Sequence, residues 1–170
     1  MPGYGKFGED TMNKGVLCDT SFFIRLLDKS SDLHQSAKDY FRYLLDQDYR
    51  LLISTISIAE YTVGGSITGL PLKNLQILPF NFDHAKRTGQ FAKTVFAAKR
   101  SLKLTERNLI PNDSKLFAQA DIEKSIGFYI TSDQRSKKIY DLLYEKGTKP
   151  AFEFINLQTP YNEQFGVLGL

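Results

Sequence analysis

The chain has 170 residues, 42% of them hydrophobic and 24% charged, with a formal net charge of +3 and a single cysteine. That length suits one domain with a real core, and no apolar run approaches the roughly 18 residues of a membrane span. One cysteine excludes an internal disulfide and a cysteine-based zinc site, and so mild a charge does not by itself point to nucleic acid.

Residues 1–14 are polar and contain glycine, without the apolar stretch of a signal peptide, and are expected to form a flexible tail. Val16-Leu17-Cys18 is a brief apolar run that reads as a buried strand, with Cys18 as a small core residue. Phe22 to Leu27 then follow a helical pattern, so Asp19 stands where a strand becomes a helix. Asp32 to Asp46 carries Leu33, Ala37, Tyr40, Phe41, Leu44 and Leu45 at helical spacing, and Arg50 to Ser54 is a second short strand. Thr55 or Ser57 is expected to cap the next helix, which carries Glu60 and weakens at Gly64-Gly65.

Leu75 to Phe80 is a third strand candidate, and Asp83 opens a long helix expected to run to Leu102. Lys86, Arg87, Lys93, Lys99, Arg100, Lys103 and Arg107 make that helix and its exit basic. Pro111-Asn112-Asp113 starts another helix, Phe128 to Thr131 is a strand, and Ser136 to Glu145 is a helix with Gly147 as its C-cap. Ala151 to Leu157 closes the series as a last strand, leaving residues 159–170 as a loosely specified tail. This alternation predicts an α/β domain over residues 15–158, a three-layer α/β/α sandwich around a mostly parallel sheet of about five strands. Strand carboxyl ends then meet at one edge, where open sheets of this kind bind ligands.

Four acids fall at such positions. Asp19 and Asp133 follow strands, the latter in Thr131-Ser132-Asp133, and Asp113 leads a helix. Taken singly, each of the three is explained by helix capping. Glu60 is less easily explained, because it lies amid Ile56, Ile58, Ala59 and Val63, where an unpaired charge is costly to bury. Carboxylates facing one another repel, and a divalent cation removes the repulsion. Hard oxygen ligands without cysteine or clustered histidine favour Mg²⁺ or Mn²⁺, which serve phosphodiester cleavage. Thr20, Ser21, Thr131 and Ser132 are expected to orient the ligands or bound water. His34 and His84, in polar first turns of helices, offer little for acid–base chemistry, and Asp121 reads as a solvated or paired surface acid.

The motifs, in this order, resemble those of PIN-domain nucleases. Leu17-Cys18-Asp19-Thr20-Ser21-Phe22 matches the family's opening strand, acid and hydroxyl residue. Ser57-Ile58-Ala59-Glu60 matches its helical glutamate, and Asp113-Ser114-Lys115-Leu116-Phe117-Ala118-Gln119-Ala120 its third acid. Thr131-Ser132-Asp133 matches the fourth, although Gln134-Arg135-Ser136 stands where the family often has another acid and a phenylalanine. The resemblance spans about Val16 to Leu157.

It implies a Mg²⁺- or Mn²⁺-dependent endoribonuclease of the cytoplasm, often the toxin of a toxin–antitoxin pair, with Asp19, Glu60, Asp113 and Asp133 as catalytic and metal-binding residues. The partners expected are an RNA substrate, an antitoxin protein and a second copy of the chain, with no membrane. Lys99, Arg100, Lys103 and Arg107 are expected to guide RNA. The alternative is a PIN-like domain that binds RNA or a protein without cutting. A phospho-acceptor receiver domain fits poorly, since the middle strand candidate leads to Pro79-Phe80-Asn81 and the last to Asn156-Leu157. A dehalogenase-type phosphatase needs a second aspartate where Ser21 stands.

Overall fold

Successive residues of a strand face opposite sides of its sheet, and the apolar runs of this chain divide accordingly. In strand β1 (Gly15–Cys18) Val16 and Cys18 enter one core with Phe22, Ala37, Tyr40, Leu44, Ile53 and Ile130. Leu17 enters a second core with Leu52, Phe91, Leu116, Phe117, Tyr129 and Leu143. Two cores on the two faces of one sheet make the three-layer sandwich that the alternating pattern predicts. The computed structural model describes residues 14–98 and 110–168. The tail over residues 1–14 therefore lies, but for Lys14, outside the described residues.

The sheet is parallel throughout, not merely for the most part, with strand order β3-β2-β1-β4-β5. Its strands are β1, β2 (Arg50–Ser54), β3 (Leu75–Leu78), β4 (Ile126–Thr131) and β5 (Glu153–Asn156). Helices α1 (Thr20–Leu27) and α2 (His34–Asp46) join β1 to β2, and α3 (Thr55–Tyr61) follows β2 without a loop. Helices α4 (Phe82–Ala98) and α5 (Asn112–Ile122) lie between β3 and β4, and α6 (Gln134–Glu145) links β4 to β5. The stretch expected to prolong α4 to Leu102 lies outside the described residues.

Register brings the site together. Cys18 pairs with Ile53 on one side and with Ile130 on the other, so the chain leaves β1 at Asp19 beside Thr131 of β4. The Asp19 N–H donates to Ile130 O at 3.0 Å, which fixes the exit. At the opposite end Gly15 lies so close to β4 that a Cβ there would meet Ser125 O at 2.4 Å, a contact that only glycine avoids.

Three local expectations change. Helix α3 is capped by neither Thr55 nor Ser57 but by Ser54, whose Oγ accepts the Ile56 N–H at 3.0 Å. The helix begins directly where β2 ends, which places the capping position one residue earlier, and Thr55 Oγ1 instead accepts the Phe80 N–H at 3.2 Å. The segment beyond β5, read as a loose tail, contains α7 (Tyr161–Gln164) and packs on the domain. Tyr161 and Phe165 each stack on Tyr43 with ring centroids 4.9 Å apart, and Tyr40 Oη donates to Thr159 O at 2.6 Å.

His84 lies in the first turn of α4 as expected, but is fully buried there. Its Nδ1 accepts the Asn81 N–H at 3.1 Å, so Nε2 carries the proton that reaches Glu123 Oε1 at 2.8 Å. Cys18 is buried as expected.

Candidate functional site

Four acids far apart in sequence line one cleft of about 640 Å³ at the carboxyl edge of the sheet: Asp19, Glu60, Asp113 and Asp133. Three of them are placed by a boundary between elements. Asp19 caps α1 after β1, Asp133 caps α6 after β4, Asp113 lies in the first turn of α5, and Glu60 is carried by α3. Thr20, Ser21, Asn112, Arg135 and Lys138 complete the polar wall, and Ile24, Leu116, Ile139 and Leu142 supply apolar surface.

Asp19 is the most buried of the four, with a residue exposure of 7%. Its Oδ1 accepts the Thr20 N–H at 2.8 Å, and its Oδ2 accepts the hydroxyls of Ser21 at 2.9 Å and Thr131 at 2.8 Å. Each hydroxyl has one proton and gives it to Asp19, so the 3.0 Å contact between them lacks a proton. Their lone pairs serve the backbone: Ser21 Oγ accepts the Ser132 N–H, and Thr131 Oγ1 accepts the Asp133 N–H, both at 3.0 Å. Ser21 and Thr131 thus lock the ends of β1 and β4 together around one carboxylate.

Burial raises the Asp19 carboxyl above the ordinary carboxylate range, the three donors oppose the rise, and the charge of Asp133 adds to it. Asp113 is pushed up to about 6, first by burial and then by the charges of Asp19 and Asp133. The Ser136 hydroxyl, 2.7 Å from Asp113 Oδ1, and the charge of Arg135 pull the other way. Glu60 is the most exposed of the four, yet partial enclosure raises it too, with Asp19 and Asp113 contributing. Asn112 and Thr20, through contacts looser than a hydrogen bond, favour its charged form.

Asp133 behaves differently. Burial alone would raise it, but Arg135 outweighs that and holds it below the ordinary range. The charges of all four acids reach the buried Tyr129 hydroxyl, whose titration burial pushes far up.

The expected supporting residues divide into two groups. Thr20 and Ser21 line the cleft, and Thr131 stands behind Asp19. Ser132 is turned aside: its N–H goes to Ser21 and its Oγ accepts Arg25 Nε at 3.5 Å. Asp121 is paired, but its carboxylate is buried rather than at the surface. Its side chain is 8% exposed, its Oδ2 takes Arg87 Nε at 2.6 Å, and its Oδ1 takes the Ala151 N–H at 2.7 Å. Lys99, Arg100, Lys103 and Arg107 lie outside the described residues. Asn112, Ser136 and Lys138 gave no signal in the sequence, because no spacing reveals which residues near the starts of α5 and α6 converge.

Among the described residues no three His, Cys, Asp or Glu side chains are grouped to cage a metal ion as they stand. The donors nonetheless suit a hydrated one. Asp113 Oδ2 has no hydrogen-bond donor among the described residues, and Thr20 Oγ1 is buried at the cleft wall without a hydrogen-bond partner. Burial is the main cause that raises Asp19, Glu60 and Asp113, with repulsion between the acids adding to it, and a hard cation relieves that repulsion. Magnesium usually keeps several waters and binds through one or two carboxylates, so a closed protein cage is not required.

A family model described as PIN domain matches residues 16–142. Among solved structures, VapBC2 from Rickettsia felis bound to a DNA fragment from its promoter superposes with a TM-score of 0.54 at 19% identity, covering 84% of this chain and 98% of that one. DNA-bound VapBC from Salmonella typhimurium superposes with a TM-score of 0.50 at 18% identity, again covering 84% of this chain and 98% of that one. At such identities the likeness concerns the fold. No curated protein sequence matches the chain.

Proposed function

The chain belongs to the PIN domain family, and on that premise we propose that it is a Mg²⁺- or Mn²⁺-dependent endoribonuclease that hydrolyses RNA phosphodiester bonds. The observation that carries this reading is the convergence of Asp19, Glu60, Asp113 and Asp133 on one cleft. Helix capping accounts for an acid at one helix start. It does not account for an acid from a third helix facing two caps and a fourth carboxylate across a shared cavity.

In this reading Asp19, Asp113, Glu60 and Asp133 would hold the divalent ion. A bound ion of this kind activates water for attack on phosphorus and stabilises the oxygen that leaves. Ser21, Thr131 and the Thr20 N–H hold Asp19 in one orientation, so the ligand geometry is set before substrate arrives. Ser136 does the same for one oxygen of Asp113 and leaves the other for the ion. The apolar residues Ile24, Leu116, Ile139 and Leu142 limit water at the cleft walls. Lys99, Arg100, Lys103 and Arg107 precede Pro111 and Asn112 of the cleft in sequence, which supports a role for them in guiding RNA.

We further infer that the enzyme acts in the cytoplasm as the toxin of a toxin–antitoxin pair, with an antitoxin protein and a second copy of the chain as its partners. The VapBC neighbours support that context, as does the lack among the described residues of a helix long and apolar enough to cross a membrane. The test is cleavage of single-stranded and structured RNA by purified protein. Cleavage should require Mg²⁺ or Mn²⁺ and stop with EDTA, and replacing Lys99 and Arg100 should weaken RNA binding and flatten its salt dependence. RNA binding without cleavage at any metal concentration would instead make the protein a binding module.

A further inference from the structure

Of the four acids, Asp133 alone has both oxygens already engaged by a cation. Its Oδ1 accepts the Arg135 N–H at 2.9 Å and Arg135 Nε at 3.3 Å, and its Oδ2 faces Arg135 Nη2 at 3.2 Å. Capping helix α6 needs only the backbone N–H of Arg135. The guanidinium is an addition to the cap, and an unusual one, because a positive charge in the first turn opposes the helix dipole and α6 has no acid in that turn to offset it.

Position says what the addition serves. The Arg135 side chain is 85% exposed and Asp133 27%, so the guanidinium closes over the acid from the solvent side. It lines the same cleft as Asp19, Glu60 and Asp113, and its charge also reaches Asp113. Nothing anchors it from behind, since its only hydrogen bonds among the described residues go to Asp133. An arginine so held can leave without disturbing the core. Lys138, the other cation of the cleft, has no hydrogen bond or ion pair among the described residues.

We propose that Arg135 is the site's built-in counter-cation, which keeps Asp133 out of metal coordination and competes with the divalent ion for that carboxylate. The inference rests on the metal-dependent reading above and goes beyond it, because it sets Asp133 apart from the other three acids and makes ion loading a displacement. Asp19, Asp113 and Glu60 then bind the ion first, and Asp133 joins only as Arg135 swings away.

The test is a Mn²⁺ titration of the full-length, metal-free protein, with free Mn²⁺ read by electron paramagnetic resonance, for wild type, Arg135→Gln, Asp133→Asn and the double variant. Arg135→Gln should bind Mn²⁺ about threefold more tightly, an effect sized to an exposed ion pair. In the Asp133→Asn background the same substitution should bring no such gain. Equal or weaker Mn²⁺ binding by Arg135→Gln would overturn the proposal and leave the metal site standing. A gain that persists undiminished in the double variant would overturn it as well, since the competition would not be for Asp133. Weaker RNA binding with unchanged Mn²⁺ affinity would make Arg135 a phosphate contact instead. Failure of both wild type and Arg135→Gln to bind Mn²⁺ at millimolar concentration would overturn the metal-dependent reading itself, and this proposal with it.

Discussion

Asp113 is a single side chain with a measurable consequence in the metal-free protein. Burial first, and then Asp19 and Asp133, push it up to about 6, whereas in the unfolded chain it titrates in the ordinary range near 3.8. Between those values the native state holds a proton that the unfolded state has released. Stability of the metal-free protein should therefore fall as pH rises from about 4 to about 6 and level off above that. At ~1.4 kcal/mol per unit the loss is ~3 kcal/mol at most. Urea denaturation in EDTA across this range checks it, and Asp113→Asn should flatten the wild-type slope; an unchanged slope would remove Asp113 as its cause.

Asp133, held below the ordinary range by Arg135, works in the opposite direction, so the comparison with Asp113→Asn is what isolates the effect. Asp19, Asp113 and Asp133 were legible in the sequence because each sits at a boundary that strand and helix patterns mark, and Glu60 because it lies amid Ile56, Ile58, Ala59 and Val63. Ser136 on Asp113 was not, because a hydroxyl 23 positions away in sequence becomes a partner only once α5 and α6 pack. Arg135 was visible as a departure from the family pattern, but its hold on both oxygens of Asp133 depends on a rotamer that no motif encodes.

At the scale of elements, hydrophobic periodicity carried the fold. The parallel sheet follows from short apolar strands alternating with helices, and the two cores follow from the strict alternation of Val16, Leu17 and Cys18. What periodicity missed is α7. A helix of four residues has no stability of its own, and Tyr161–Gln164 exists because rings of α2 meet Tyr161 and Phe128 of β4 meets Phe165 at its end. Phe165, just beyond α7, lies between Tyr43, Tyr49 and Phe128 with centroids 4.9, 5.8 and 5.9 Å away.

Phe165→Ala should cost about 2 kcal/mol of unfolding free energy, less than the ~3–5 kcal/mol of a fully buried phenylalanine because this one is half-buried. Chemical denaturation checks the figure. A change below ~0.5 kcal/mol, the range of ordinary surface substitutions, would mean that the C-terminal segment is only laid against the domain. His84 shows the same limit in reverse. The sequence placed it in a polar first turn, and the approach of Glu123 at the end of α5 makes that turn a buried link between α4 and α5.

For the molecule as a whole, the cleft is a place where folding leaves carboxylates facing one another. An ion that binds only the native state stabilises it in proportion to the logarithm of its concentration over its dissociation constant. Millimolar Mn²⁺ should accordingly raise the melting temperature, and an absent shift in a thermal scan would count against an ion-binding cleft. Whether the cleft is also the seat of catalysis depends on Asp19, the buried acid to which β1, β4 and α1 all contribute. Substituting Asn there keeps the size and remains a good helix cap, while removing the charge that would hold an ion. The most direct measurement is the rate of Mn²⁺-dependent RNA cleavage by Asp19→Asn beside the wild type, with both shown to be folded by circular dichroism. Loss of cleavage in a folded Asp19→Asn protein is the predicted result; full metal-dependent cleavage by that variant would contradict the account.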